Sequence, residues 1–328
     1  MIIDDIRGSL LKESFSDIIG QSLAKSQLKG ALISGRHVLI VGNPGVGKTT
    51  LARNVAKLLP IVERVDPITK KKKKVSGVDR FVRVQGSPDL NVEDLLGDID
   101  PVKALKFGPK SLEAFTPGKI FFADRGVLFF DEVNRAPEKL QNALLQVLSE
   151  GKATLGGYTV DFPLDFIFIG TMNPSESAAV EPLGDVFLDR FDIVHAGYPD
   201  SLSDEVLIVK TKGRKILDFP EKLLESVLLF LRLLRESKEL DKKPSVRASI
   251  GVYERAQSQA LISGRKSVSA DDIRAILASV LSHRISLKPA FKFSLSPEQF
   301  LKKKFDEFLE EHEELASGGG SIRRELEG

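Results

Sequence analysis

Short, continuous apolar runs alternate with stretches in which apolar residues recur every three or four positions along the first 200 residues. "HVLIVG" (37–42), "GVLFFDE" (126–132) and "DFIFIGTMNP" (165–174) are runs of the first kind and predict strands buried on both faces. "RFVRVQ" (80–85) is a further strand candidate. Helical spacing follows in "KTTLARNVAKLL", and in "APEKLQNALLQVLSEG" it places Leu140, Leu144, Leu145 and Leu148 on one face, with Gly151 as the stop. A lead-in loop before "QSLAKSQLKGALISG" predicts another helix, with Ser22 as its cap. "KATLGGYTVDF" predicts a hairpin turning at Gly156–Gly157. Strands alternating with helices argue for an α/β fold around a parallel sheet.

The character changes near residue 200. "EKLLESVLLFLRLLRES", "RASIGVYERAQSQALISG" and "SADDIRAILASVLSHRI" are helical throughout, the last with a Ser cap and acids in its first turn. They predict a separate small helical domain. "SPEQFLKKKFDEFLEEHEEL" lines Phe300, Leu301, Phe305, Phe308 and Leu309 along one side of a final helix, and the Gly-rich "ASGGGSIRRELEG" predicts a flexible tail. The expected division is 1–200, 201–290 and 291–328, with no internal repeat.

Composition narrows the chemistry. A net charge of +2 over 328 residues gives no global attraction to nucleic acid or to a membrane. The chain has no cysteine, which excludes disulfides, thiolate nucleophiles and thiolate metal sites. His37, His195, His283 and His312 are scattered without metal-ligand spacing. The most apolar run, "VLLFLRLL", is broken by Arg232 and falls short of the about 20 residues a membrane span needs. The first residues do not read as a signal peptide, so the expected location is the cytoplasm. Abundant Lys and Glu without Cys hint at a thermophile. Lys70 to Lys74 read as a solvated loop, the alternative being a contact for an acidic partner or nucleic acid.

Three motifs carry chemistry. "GNPGVGKTT" fits G-x-x-x-x-G-K-[ST] from Gly42 to Thr49, between a predicted strand and a predicted helix. The backbone of Asn43, Pro44, Gly45, Val46 and Gly47 would cradle phosphates, Lys48 would supply a point charge, and the Thr49 hydroxyl would ligate Mg²⁺ beside Thr50. "VLFFDE" delivers Asp131 to the Mg²⁺ side and puts Glu132 next to it, where it could orient or deprotonate water. Asn173 follows a buried strand at the carboxyl edge, where open α/β sheets bind ligands, although Asn-Pro is also a turn dipeptide. Arg190, framed in "VFLDRFD", either pairs locally with Asp189 or Asp192 or serves a phosphate. Arg135 either pairs with Glu138 or reaches nucleotide across an interface.

The ordered series "DIIGQ", "GNPGVGKTTLA", "FTPGKIF", "GVLFFDEVNRAPEKLQNALLQVLSEG", "FIFIGTMNP", "FLDRFD" and "PSVRASIGVYERAQ" resembles the AAA+ ATPases, specifically the MoxR family of the helix-2-insert group that includes magnesium chelatase. It spans about residues 17–285. The resemblance implies a P-loop NTPase with a three-layer αβα core, an insert at about 86–119, a hairpin at 152–162 and an all-helical lid. It implies ATP and Mg²⁺ as cofactors, Lys48 and Thr49 as Walker A, and Asp131 and Glu132 as Walker B, with Glu132 activating water. It further implies Asn173 as sensor 1, Arg190 as an arginine finger acting in trans, Arg247 as sensor 2, and Ile19 and Gly20 near adenine. The working unit would be a ring, expected to be a hexamer, acting on a client or with a separate von Willebrand factor A-domain partner. The lysine run and the Gly-rich tail depart from the family pattern.

The leading expectation is thus a MoxR-type motor, with a magnesium chelatase ATPase subunit as the near alternative. A nucleic-acid motor has only the lysine run in its favour, without a helix-turn-helix or zinc signature. A scaffold that binds ATP without turnover is opposed by Glu132, Asn173 and Arg190.

Overall fold

A computed structural model of the chain describes residues 2–65, 72–108, 111–154, 161–174 and 183–312. They form two compact units: Met1–Asn43 with Gly47–Gly197, and Tyr198 onward with Pro44–Val46.

The first unit opens with α1 (Ile2–Lys12), α2 (Ser22–Ile33), β1 (His37–Val41) and α3 (Lys48–Lys57). A hairpin of β2 (Val62–Val65) and β3 (Lys72–Val75) leads to β4 (Phe81–Gln85). Then come α4 (Val92–Leu96), β5 (Gly97–Ile99), α5 (Pro101–Phe107), β6 (Phe115–Pro117) and α6 (Lys119–Phe122). The remainder is β7 (Val127–Asp131), α7 (Glu138–Glu150), β8 (Lys152–Thr154), β9 (Asp161–Pro163), β10 (Ile167–Met172), α8 (Asp185–Leu188) and β11 (Phe191–His195).

Five strands make one parallel sheet in the order β11-β1-β10-β7-β4. The apolar runs occupy its centre because a parallel strand covered on both faces has no side to leave polar. Phe129 and Phe130 of β7 and Phe168 of β10 are fully buried. Each such phenylalanine stabilises the fold by about 1.5–3 kcal/mol. The edge strands β4 and β11 carry exposed polar positions instead. The sequential route steps from β1 out to β4, returns through β7 and β10, and passes β1 to end at β11. That reversal beside β1 is where doubly wound sheets open a crevice at their carboxyl edge.

Two expectations are corrected. Ser22 is the first helical residue of α2, and its N-cap is Gln21, in left-handed backbone with φ 54°. Lys72 to Lys74 are not loop: they form the exposed strand β3, with Val62 opposite Val75 and Glu63 opposite Lys74. An apolar pair and an opposite-charge pair across the strands outweigh the solvation preference of three lysines. Lys70 and Lys71 lie outside the described residues, as do Gly156–Gly157 and the Gly-rich tail. In the 86–119 region, α4 begins with an Asn91–Asp94 capping box, and the antiparallel strands β5 and β6 flank α5, which Asp100 caps. β8 and β9 pair as the second hairpin.

The second unit contains α9 (Leu202–Lys212), α10 (Glu221–Glu236), β12 (Leu240–Lys242), α11 (Val246–Ile262), α12 (Ala270–Leu281), β13 (Ser286–Leu287), α13 (Pro289–Lys292) and α14 (Pro297–Glu311). Ser269 caps α12 in a box with Asp272, and Ser296 caps α14 with Gln299. Phe300, Leu301, Phe305 and Phe308 of α14 enter the same core as Leu228, Leu231, Val252, Ile273 and Leu277. The last helix is therefore part of this unit's core. No described helix is long and apolar enough to cross a membrane.

Candidate nucleotide site

The loop after β1 leaves the sheet between two neighbours. Gly42 N donates to Met172 O at 3.1 Å, and Ala196 N donates to Val41 O at 2.8 Å. A Cβ on Gly42 would lie 2.2 Å from Ala196 O, so the chain passes here only as glycine. Gly47 caps α3 at φ 98°, a conformation that a side chain would strain. The helix begins at Lys48, so its first turn, which holds Thr49 and Thr50, puts the positive end of the helix dipole at the loop. Lys48 is buried, and its Nζ donates to Gly42 O at 2.5 Å, Asn43 O at 3.1 Å and Asn173 Oδ1 at 2.6 Å. The "DIIGQ" segment approaches through Ile18, whose Cδ1 lies 3.7 Å from the Cβ position of Gly47, while Ile19 and Gly20 are half-buried beside it.

Across the sheet edge, β7 ends at Asp131. Thr171 Oγ1, fully buried on β10, donates to Asp131 Oδ1 at 2.6 Å and accepts from Glu132 N at 2.9 Å. Glu132 takes left-handed backbone, φ 54°, which a non-glycine residue adopts only when its surroundings enforce it. Gly86 enforces part of it: its N–H donates to Asp131 O at 2.7 Å, and a Cβ there would lie 2.0 Å from Glu132 O. Glu132 Oε1 accepts from Asn173 Nδ2 at 3.1 Å, and Oε2 accepts from Gln85 Nε2 at 3.0 Å and Arg135 Nη1 at 2.9 Å. Lys48, Asn173 and Glu132 thus form one hydrogen-bonded chain. Within the chain, Arg135 pairs with Glu132 and not with the expected Glu138.

Arg190 is not at this edge. It immediately precedes β11, and Phe191 pairs with His37 while His195 pairs with Val41. Six residue steps of about 3.3 Å separate its level from that of Gly42, or roughly 20 Å. Its exposed guanidinium donates to Val186 O at 3.2 Å and lies 3.8 Å from Asp189 Oδ2. Arg247 belongs to the second unit, in the first turn of α11. In that unit, a Cβ on Gly45 would lie 2.9 Å from Arg247 Cγ.

The donors fit Mg²⁺. The Thr49 hydroxyl and the Asp131 carboxylate are hard oxygens, and no described cluster of three or more His, Cys, Asp or Glu side chains could cage a metal. Magnesium is ordinarily held by one or two such side chains together with substrate phosphates. Sequence reasoning missed Arg83, Gln85 and Thr171. Their only signal was position, at the carboxyl ends of "RFVRVQ" and "FIFIGTMN".

The family model described as magnesium chelatase, subunit ChlI, matches residues 14–196, and one described as AAA lid domain matches residues 235–303. The uncharacterized protein YeaC of Bacillus subtilis is 31% identical over 288 residues, covering 80% of this chain and 81% of that protein. The chaperone MoxR1 of Mycobacterium tuberculosis is 28% identical over 312 residues, covering 86% and 76%. A solved RuvB variant from Thermotoga maritima aligns with a TM-score of 0.52 at 16% identity, over 81% of this chain and 72% of that one, a likeness of fold.

Proposed function

This chain belongs to the magnesium chelatase ChlI-type family of AAA+ ATPases, with an AAA lid, and on that premise we propose that it is a cytoplasmic ring motor coupling Mg-ATP hydrolysis to work on a client protein. The observation that carries the reading is the chain Lys48–Asn173–Glu132, which links a phosphate-binding cation to a carboxylate through one amide.

In this reading the loop from Asn43 to Gly47 and the N-terminus of α3 cradle the phosphates of ATP, and Lys48 neutralises the β- and γ-oxygens. Thr49 and Asp131 hold Mg²⁺, which when bound offsets charge on those oxygens. Glu132 orients the attacking water and takes its proton. Asn173, bonded to Lys48 and Glu132 together, reports the γ-phosphate to the base. Arg247 adds a second cation from the lid, and the Ile19–Gly20 segment borders adenine.

Arg190 sits too far along the sheet to serve its own phosphates, which supports its acting on a neighbouring subunit's nucleotide. Such a finger contributes about 10³–10⁵ in rate. That requires a neighbouring subunit in head-to-tail contact, and we take a closed hexameric ring as its form. The likeness to the chaperone MoxR1 favours client remodelling. The ChlI family match equally admits a chelatase-type role, separable by a metal-insertion assay with a von Willebrand factor A-domain partner.

The test is ATPase rate per subunit against protein concentration. The wild-type rate rises with assembly, and Arg190→Ala binds ATP but turns it over about 10³-fold or more slowly. Adding Glu132→Gln subunits, which keep Arg190, restores turnover to Arg190→Ala subunits. A rate indifferent to concentration and to Arg190 would exclude the shared site.

A further inference from the structure

Arg83 projects from β4 onto the acids that end β7. Its Nη2 donates to Asp131 Oδ2 at 2.6 Å and to Gln85 Oε1 at 3.0 Å. Gln85 in turn donates Nε2 to Glu132 Oε2 at 3.0 Å. Alternation puts Arg83 and Gln85 on one face of β4, and the register sets Gln85 opposite Asp131. Thr171 occupies Asp131 Oδ1, so Arg83 holds the carboxylate's second oxygen. One guanidinium therefore touches the carboxylate read as the metal ligand and, through Gln85, the carboxylate read as the base.

We propose that Arg83 is a resident counter-cation of the metal site, which competes with Mg²⁺ for Asp131 Oδ2. The proposal rests on Asp131 being the Mg²⁺ carboxylate. The exposures favour this exchange: the Arg83 side chain is 53% exposed and can swing into water, whereas Asp131 is 16% exposed and fixed by Thr171. A compact divalent ion outcompetes a delocalised monovalent one for a carboxylate oxygen. When Arg83 leaves, Gln85 Oε1 loses that donor, while Glu132 keeps Gln85, Asn173 and Arg135.

The experiment titrates Mn²⁺ into the full chain with a non-hydrolysable ATP analogue, following free Mn²⁺ by electron paramagnetic resonance. A half-exposed pair is worth a few tenths to one kcal/mol, so Arg83→Ala should tighten the Mn²⁺ dissociation constant about two- to fivefold. Arg83→Lys, which keeps the charge, should stay within about twofold of wild type. Asp131→Asn should weaken binding. Unchanged or weaker Mn²⁺ binding by Arg83→Ala, with Asp131→Asn weakened, overturns the proposal alone. Tightening by Arg83→Lys equal to that of Arg83→Ala overturns the charge competition. An Asp131→Asn titration identical to wild type overturns the underlying reading of the site as well.

Discussion

Replacing Arg235 by methionine removes the centre of a buried ionic network in the helical unit. Glu205 is fully buried and Arg235 nearly so. Arg235 Nη1 and Nη2 donate to the two Glu205 oxygens at 2.7 Å each, Nη2 also reaches Ser249 Oγ at 2.9 Å, and Nε reaches Pro244 O at 2.9 Å. Ser249 closes the loop by donating to Glu205 Oε1 at 2.6 Å. Tyr198 lies with its ring 4.6 Å from the guanidinium carbon. Removing one partner of a buried pair costs about 3–5 kcal/mol, because the other charge stays buried without its counter-ion. Here Ser249 at hydrogen-bond distance and Arg232 at 3.6 Å remain on Glu205, so the lower end applies, about 3 kcal/mol. For a unit of this size that lowers the unfolding midpoint by roughly 10 °C. The double variant Glu205→Leu/Arg235→Met should lose less than the sum of the two single changes, since it leaves no orphaned charge.

The assay is a double-mutant cycle by urea unfolding under far-UV circular dichroism, fitted with separate transitions for the two units. Amide exchange should also quicken at Val246–Ser249, because Pro244, whose carbonyl Arg235 holds, stands three residues before Arg247. A loss below about 1 kcal/mol for Arg235→Met, or losses that add, would refute the reasoning.

Two further expectations concern the first unit. Burial lowers the pKa of His37 from 6.5 to about 4. The unfolded chain takes up that proton near 6.5 and the folded chain only near 4, so stability is level above 6.5 and falls between 6.5 and 4, by at most about 3 kcal/mol. Denaturant melts across that window should show a shallower acid limb for His37→Gln, and identical limbs would remove His37 as the cause. Thr171→Val keeps the shape but deprives Asp131 Oδ1 and Glu132 N of their partner at a fully buried position. A stability loss of about 1–3 kcal/mol and slower turnover at saturating ATP are expected, and unaltered values of both would count against the assigned hydrogen bonds.

Much of the fold was legible because its signals are local. β1, β7 and β10 are buried on both faces, so each reads as an unbroken apolar run, and the glycines of the phosphate loop sit at fixed spacing in one stretch. The β2–β3 hairpin was not legible, since five lysines dominate its composition while its stability comes from pairing across the strands. β12 and β13, with three and two residues, are too short to carry a period. Arg83, Gln85 and Thr171 were missed for a related reason. Their partners lie 48, 47 and 40 residues away, so their roles exist only in the register of three neighbouring strands.

That register also bears on why the proposed unit is a ring. Gly42, Gln85, Asp131 and Asn173 end or follow four adjacent strands, so they form a row along one edge of the sheet. A slip of one residue in any strand would turn its contribution to the other face. On the proposed reading the row holds the phosphate loop, the metal oxygens, the base and the sensor, but the arginine that would meet the γ-phosphate stands at the opposite edge, roughly 20 Å away along β1 and β11. No side-chain rotation spans that distance. A copy that offers a nucleotide at one edge and an arginine at the other is satisfied by contacts of the head-to-tail kind, and such contacts close into rings when their rotation divides the circle. In this reading the sheet order that builds the site also leaves it one cation short, and the next copy supplies it.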